Sequence, residues 1–333
     1  MNIASLISTR DCEASDGQMP TIEFGVKTGQ GGCTYDELVK VWSAAEELGY
    51  DSAWLYDHFY ALGDKTKPCL EAWTTLAALA AVTQRLRIGT MVTCVNYRQP
   101  SLLAKMAATV DLVSKGRLVL GIGAGWFEEE YRAYGFEFPD QATRVRQLKE
   151  ALIVIQKLWT EDSASFRGRY YSIQDAICLP KPLQKPRPRM LVGINSGKKT
   201  LPYLAAKYAD GFNVTASSFE ECKAVIGSAK RWAERLGKRV MTVSWQGFLM
   251  LGRTKTELEN NISTAAKRRG MSDTDFRKAS LDRGFLIGLP DECVSRLREL
   301  ADAGVNSFML GFTGDIEITP LETFRDQVAP ELR

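Results

Sequence analysis

The 333-residue sequence is poor in the residues that most often mark a metal site or a hydrolase. Its one histidine is His58, so no histidine-based metal cluster is possible, and any catalytic triad would have to use this residue. The seven cysteines are odd in number, widely spaced and without a C-x-x-C pair. This pattern predicts reduced thiols and no metal site, because a disulfide framework or a zinc site would need paired cysteines.

The sequence also lacks a long apolar run and a strong excess of either charge. No apolar stretch approaches the ~18 residues that span a bilayer, and residues 1–20 lack the basic start and apolar core of a secretory signal. The net charge is +3, with acids and bases mixed along the chain. We therefore expect a cytoplasmic protein that binds neither nucleic acid nor a membrane. Residues 1–18 are predicted to be a disordered extension, and residues 19–333 a single domain.

Short β-branched runs alternate with longer amphipathic helical patterns along the chain. The strands are predicted to begin near residues 21, 52, 86, 118, 190, 211, 240 and 306. Repeated strand–helix units predict parallel strands with right-handed crossovers, and eight strands suit a closed barrel. Two stretches interrupt the rhythm, a predicted hairpin excursion at 160–189 and a polar helical insertion at 273–284. The predicted fold is an α/β (β/α)₈ TIM barrel with insertions, whose chemistry lies at the C-terminal strand ends.

Three of those strand ends carry candidate site residues. His58 follows the second strand and could transfer a proton, or it could be a surface histidine without a role. The glycines of Gly121–Gly125 alternate, which would let a planar ligand or a phosphate approach the backbone, although tight packing at the barrel rim explains them equally. Gly193–Gly197 precedes a helix and favours an anion such as phosphate over an ordinary loop.

Read together, several blocks of the sequence resemble the luciferase-like monooxygenase superfamily, and most closely its branch that uses coenzyme F420, a deazaflavin. The similarity spans residues 20–312, and FMN-using members share much of it. The blocks that carry it are DSAWLYDH (Asp51–His58), RIGTMV (Arg87–Val92), YRQPSLLAKMAATVD (Tyr97–Asp111), SKGRLVLGIGAGW (Ser114–Trp126), Glu130, Tyr131, Gly135, ADGFN (Ala209–Asn213) and LADAGV (Leu300–Val305).

The resemblance implies which residues would hold the cofactor. His58 is implied as the catalytic proton donor or acceptor, and a non-prolyl cis peptide is implied among Met91–Thr93 at the end of the third strand. Arg98, Lys198 and Lys199 would suit the anionic polyglutamate tail of the coenzyme. The implied cofactor-binding residues are Asp57, His58, Met91, Val92, Thr93, Gly125, Trp126, Gly193, Ser196, Gly197, Asn213 and Thr215.

Three functions are consistent with this resemblance. The first is hydride transfer between coenzyme F420 and a small organic substrate. The second is an FMN-dependent monooxygenase, and the third is a non-catalytic flavin-binding barrel. A homodimer and a separate cofactor-reducing enzyme are also suggested. Leu62 and Trp126 stand where the related sugar-phosphate dehydrogenases have tryptophan and glutamate, and this departure argues against a sugar-phosphate substrate.

Overall fold

A computed structural model describes residues 21–195, 197, 199–215, 218–238, 241–312 and 317–333. The predicted extension at residues 1–18 lies outside these ranges. The strands are β1 (Glu23–Lys27), β2 (Ser52–Leu55), β3 (Arg87–Cys94), β4 (Leu118–Gly123), β5 (Ala164–Arg167), β6 (Ser172–Ala176), β7 (Arg189–Ile194), β8 (Gly211–Val214), β9 (Thr242–Leu251), β10 (Leu286–Gly288) and β11 (Ser307–Phe312).

Helices follow most of the strands and form the outer layer. The helices are α1 (Tyr35–Glu47), α2 (Ala72–Val82), α3 (Pro100–Val113), α4 (Glu128–Ala133), α5 (Gln141–Thr160), α6 (Thr200–Tyr208), α7 (Phe219–Arg235), α8 (Lys255–Arg268), α9 (Asp273–Asp282), α10 (Pro290–Ala303) and α11 (Thr319–Gln327).

Eight parallel strands close into a barrel in the order β1, β2, β3, β4, β7, β8, β9, β11, and β11 pairs with β1. This confirms the predicted (β/α)₈ barrel. The antiparallel β5–β6 hairpin occupies the predicted excursion, and α9 occupies the predicted polar insertion. The short strand β10, which pairs with β9 outside the barrel, was not expected, because three residues give no readable alternation.

Apolar residues fill both the space between strands and helices and the interior of the barrel. The interior cluster consists of Trp54, Met91, Val119, Leu191 and Met309, all almost fully buried. Trp54 needs a bare backbone beside it on β3, since a Cβ at Gly89 would lie 2.6 Å from the indole ring and 2.2 Å from the Val119 carbonyl oxygen. The interior layer therefore forms a packed floor beneath the C-terminal strand ends.

Replacing Gly89 with Ala tests this packing. The added methyl meets a backbone oxygen that cannot move aside, so we expect the free energy of unfolding to fall by about 1–3 kcal/mol, measured by chemical denaturation. Gly227→Ala in the middle of α7 is the matched control, because its Cβ would meet only the end of Arg231, at 3.4 Å. That substitution should leave stability unchanged or raise it. Equal losses from both would contradict the packing argument.

Candidate active site

A cavity of about 340 Å³ opens at the C-terminal ends of the barrel strands. Its walls are contributed by the C-terminal ends of β1, β3, β4, β7 and β8, by Gln246 of β9, by the loops after β2, β3, β4, β7 and β8, and by the starts of α5 and α6. Of the residues implied by the resemblance, nine line it: Asp57, His58, Met91, Val92, Gly125, Trp126, Gly193, Asn213 and Thr215. Thr93 and Gly197 do not line it, and Ser196 lies outside the described residues. Nine of the twelve residues implied by the resemblance thus lie in the cavity wall.

The end of β3 forms a smooth apolar part of this wall. The Met91–Val92 peptide is cis, as the resemblance implied, and the β3–β4 register shifts beside it. The Val92 side chain packs over two bare backbones, since a Cβ at Gly123 or Gly193 would lie 2.7 or 2.9 Å from its methyl groups. Side chains at these two positions would displace Val92 into the cavity.

Thr93 points away from the cavity into the core. Its hydroxyl accepts a hydrogen bond from Trp73 Nε1 at 3.2 Å and lies 2.5 Å from the Thr90 hydroxyl. The side chain is fully buried. The position of Thr93 therefore gives no support to the prediction that it contacts the cofactor, because the register shift between Thr90 and Thr93 breaks the alternation along β3 and the Thr93 hydroxyl meets Trp73 of α2.

Asp57 lies in the cavity wall and binds an arginine from the loop after β3. Its carboxylate accepts hydrogen bonds from Arg98 Nη1 at 2.7 Å, Arg98 Nη2 at 3.0 Å and the Cys94 amide at 2.9 Å. Burial raises the pKa of the Asp57 carboxyl, and the Arg98 guanidinium acts against that rise. Arg98 is itself almost buried and also contacts Glu71, so it does not supply the basic rim suggested for the polyglutamate tail.

His58 is held by a buried carboxylate that the sequence did not reveal. Its Nδ1 lies 2.8 Å from Glu130 Oε2, and 12% of its side chain is exposed, on the cavity side. A carboxylate only accepts hydrogen bonds, so a neutral His58 ring carries its proton on Nδ1. The other ring nitrogen, Nε2, is then left as an acceptor for a group in the cavity.

Glu130 receives donors from two separate loops, the one after β2 and the one after β3. Besides His58, its carboxylate accepts from the backbone amides of Phe59 and Tyr60 at 2.7 and 2.8 Å and from the Tyr97 hydroxyl at 2.7 Å. Burial raises the pKa of Glu130, but the hydrogen bonds and the charge of His58, together with Tyr97 and the Tyr60 amide, outweigh it and lower the pKa overall. Glu130 therefore stays ionised and fixes the orientation of the imidazole.

Aromatic and aliphatic side chains surround His58 on the open side of the cavity. Trp126 and Leu62 line the cavity and are 60% and 45% exposed. The Trp126 and Phe127 rings stand edge-on to the imidazole, with ring centroids 5.6 and 5.9 Å away. These side chains give the entrance an apolar character, which would suit the apolar portion of a small organic molecule.

The end of β7 and the start of α6 form the segment that was predicted to bind phosphate. Gly193 and Asn195 line the cavity together with Leu201 of α6. Lys199 is exposed immediately before the helix, and its side chain makes no capping hydrogen bond. Lys198 lies outside the described residues. The described part of this segment thus presents backbone and an amide side chain to the cavity.

Two other properties follow from the described residues. They contain no group of three or more His, Cys, Asp or Glu side chains arranged to hold a metal ion. None of the described helices is both long and apolar enough to cross a membrane.

Comparison with known proteins places this site in a family. Residues 18–307 match the family described as Luciferase-like monooxygenase. The chain belongs to the luciferase-like monooxygenase family. The F420-dependent glucose-6-phosphate dehydrogenase of Amycolatopsis mediterranei is 29% identical to it over 318 residues, which cover 89% of this chain and 94% of that enzyme. The corresponding enzyme of Segniliparus rotundus is 28% identical, with coverages of 94% and 98%.

Solved structures of other enzymes share the fold. The structure of monooxygenase RslO1 from Streptomyces bottropensis aligns with a TM-score of 0.81 at 21% identity, over 94% of this chain and all (100%) of that one. An F420-dependent secondary alcohol dehydrogenase, solved with an F420–acetone adduct, aligns with a TM-score of 0.78 at 20% identity, over 94% and 99%. The barrel architecture is thus shared with these two structures.

The role of Glu130 can be tested on the single imidazole of the protein. In tag-free, ¹⁵N-labelled protein, the neutral His58 ring should show a protonated Nδ1 and an unprotonated Nε2. Glu130→Gln should mix the two forms, because an amide can accept or donate at Nδ1. Tyr97→Phe is the control, since it removes one donor from the same carboxylate and leaves the imidazole contact intact. A wild-type ring protonated on Nε2 would contradict the assigned geometry.

Proposed function

We propose that this protein is a coenzyme F420-dependent oxidoreductase that moves a hydride between the deazaflavin and a small organic hydroxyl or carbonyl compound. The observation that carries the proposal is the carboxylate-held imidazole of His58, which faces a cavity at the mouth of a luciferase-like barrel. The two relatives described above, both named F420-dependent dehydrogenases, support it along nearly the whole chain.

The residues of the cavity fit a flat, partly apolar ring system. Met91 and Val92 offer an apolar surface whose flatness depends on the bare backbones of Gly123 and Gly193. The opposite side of the barrel supplies polar groups, where Asn213 donates to Ser244 at 2.8 Å and Thr215 donates to Asn213 at 3.3 Å. The volume of about 340 Å³ falls within the usual range for cofactor sites.

In this proposal the protein contributes positioning and proton transfer. When bound, the deazaflavin supplies the two-electron chemistry. His58 accepts a proton at Nε2 from a substrate hydroxyl that becomes a carbonyl, and donates it in the reverse direction. Glu130 keeps Nδ1 protonated and stabilises the imidazolium that forms. Since each turnover leaves the coenzyme in its other redox state, a separate enzyme must restore it.

The apolar entrance indicates which substrates to test. Trp126 and Leu62 present apolar surface beside His58, and buried apolar contact favours substrates with a hydrocarbon portion. The named relatives act on glucose 6-phosphate. The sugar-phosphate dehydrogenases that this sequence resembles, however, carry tryptophan at the position of Leu62 and glutamate at the position of Trp126. We therefore propose a substrate that is less polar than a sugar phosphate.

The proposed catalytic role of His58 predicts a separation of binding from chemistry. Coenzyme F420 binding is measured by absorbance titration of the apoprotein, and turnover is measured as F420 reduction with a panel of alcohols, hydroxy acids and glucose 6-phosphate. With the best substrate of the panel, His58→Asn should lower kcat by about 10²- to 10⁴-fold. The dissociation constant of the coenzyme should change much less, because the ring wall is intact.

Two outcomes would contradict the proposal. Tight FMN binding without F420 binding would favour the alternative of a monooxygenase fed with reduced flavin. Binding of F420 without turnover across the panel would favour a non-catalytic barrel. Glu130→Gln serves as the companion variant, and its loss of kcat should be smaller than that of His58→Asn, since the imidazole remains.

A further inference from the structure

Lys27 is a charged residue in the barrel interior that the mechanism above does not use. It is the last residue of β1 and lines the cavity. In the parallel register it lies beside Trp54 on β2, and Trp54 belongs to the interior cluster. Neighbouring residues in register point to the same side of a sheet, so the Lys27 side chain lies directly above the apolar floor of the barrel.

No described carboxylate pairs with this ammonium group. Its Nζ makes no ion pair within 4.0 Å in the described part of the chain, and its closest recorded partner is the Phe248 ring, 5.6 Å away. Burial lowers the pKa of Lys27 from 10.5 to about 8. An ammonium group placed over an apolar layer without a counter-charge is energetically unfavourable unless a ligand supplies one.

The other charged residues of the cavity wall offer Lys27 no free counter-charge. Asp57 is paired with Arg98, so it does not neutralise Lys27. Arg144 stacks its guanidinium on the Phe138 ring at 4.1 Å and contacts the Pro139 carbonyl. Arg144 makes no ion pair in the described part of the chain, and its buried Nε has no hydrogen-bond partner there. The cavity wall thus carries a surplus of positive charge, and Lys27 and Arg144 are its two cations without a carboxylate partner among the described residues.

We propose that Lys27 binds an anionic oxygen of the small molecule that occupies the cavity. That oxygen belongs either to a carboxylate or phosphate of the substrate or to the pyrimidine ring of the deazaflavin in its anionic form. A charge-assisted hydrogen bond of this kind would both fix the orientation of the ligand and restore charge balance at the floor. The ring alternative rests on the proposed function, whereas the anion site itself is testable in the protein without any coenzyme.

The experiment measures the reactivity of Lys27 in the intact apoprotein. Amines are methylated with formaldehyde and a borane reductant at pH 8, and the extent of modification at each lysine is read by mass spectrometry. The reaction is repeated at constant ionic strength with sodium acetate, with inorganic phosphate, and with 8-hydroxy-5-deazariboflavin, which has the ring but neither phosphate nor glutamate. Lys40, exposed on α1, is the internal control.

The expected result is protection of Lys27 with unchanged modification of Lys40. Protection by acetate or phosphate assigns the anion to the substrate, and protection by the deazariboflavin alone assigns it to the ring. If none of the three probes protects Lys27, the proposal is wrong. Failure of F420 binding would refute the proposed function without affecting protection by acetate or phosphate, so the two failures are distinguishable.

A second measurement uses two variants of Lys27, whose affinities for the protecting probe are determined by calorimetry. Lys27→Met keeps the length and removes the charge, and should weaken binding about tenfold or more, whereas Lys27→Arg should keep most of it. Thermal unfolding verifies that both variants fold. Equal affinity of wild type and Lys27→Met would overturn the proposal.

The affinity of the wild type for the probe should fall as the pH rises through about 8, where Lys27 loses its proton. The groups around it are Tyr56 and His58 from the β2 side, Gln246 and Phe248 on β9, and Gly311 on β11. Burial raises the pKa of Tyr56 far above this range. His58→Asn should therefore keep the pH dependence and Lys27→Met should lose it; the reverse pattern would assign the titration to His58.

Discussion

The candidate active site depends on one buried carboxylate that collects four hydrogen-bond donors. Glu130 draws the backbone after β2, the Tyr97 hydroxyl after β3 and the imidazole of His58 toward the short helix α4. A buried charge is tolerated only where donors surround it, so the requirements of this group fix the loops after β2 and β3 against α4. The orientation of His58 is thereby a property of the fold and not of a single contact.

A second constraint comes from the packing of the barrel interior, which lies beneath the cavity. Trp54 fills the barrel interior and needs the bare backbone of Gly89 beside it, while Val92 needs Gly123 and Gly193. The bulky side chains of Trp54 and Val92 pack against glycines, which have no side chain, and this packing sets the depth of the cavity and the flatness of one wall. The apolar side chains of the barrel interior therefore form a fixed layer beneath the loops, and the Lys27 ammonium group lies above this layer.

The sequence predicted the barrel and nine residues of the cavity wall, because buried parallel strands alternate regularly with amphipathic helices and barrel sites lie at strand ends. It did not reveal the role of Glu130, which the sequence shows only as one of three consecutive acids. Glu128 and Glu129 extend outward from the first turn of α4, and only the tertiary packing turns the third acid inward. The orientation of Thr93 could not be predicted either, since a sequence pattern does not reveal the register shift beside it. Likewise, a lysine at the end of β1 gives no sign of whether a carboxylate will face it.

The exposure of Trp126 has a consequence for how this protein can diversify. Its indole covers the entrance but bears on no buried hydrogen bond, and Leu62 is similarly placed. The Trp126 ring contacts the imidazole edge-on, but the hydrogen bonds of the His58–Glu130 pair do not involve it. Replacements at the entrance can therefore alter which molecules enter the cavity without removing a hydrogen bond from that pair.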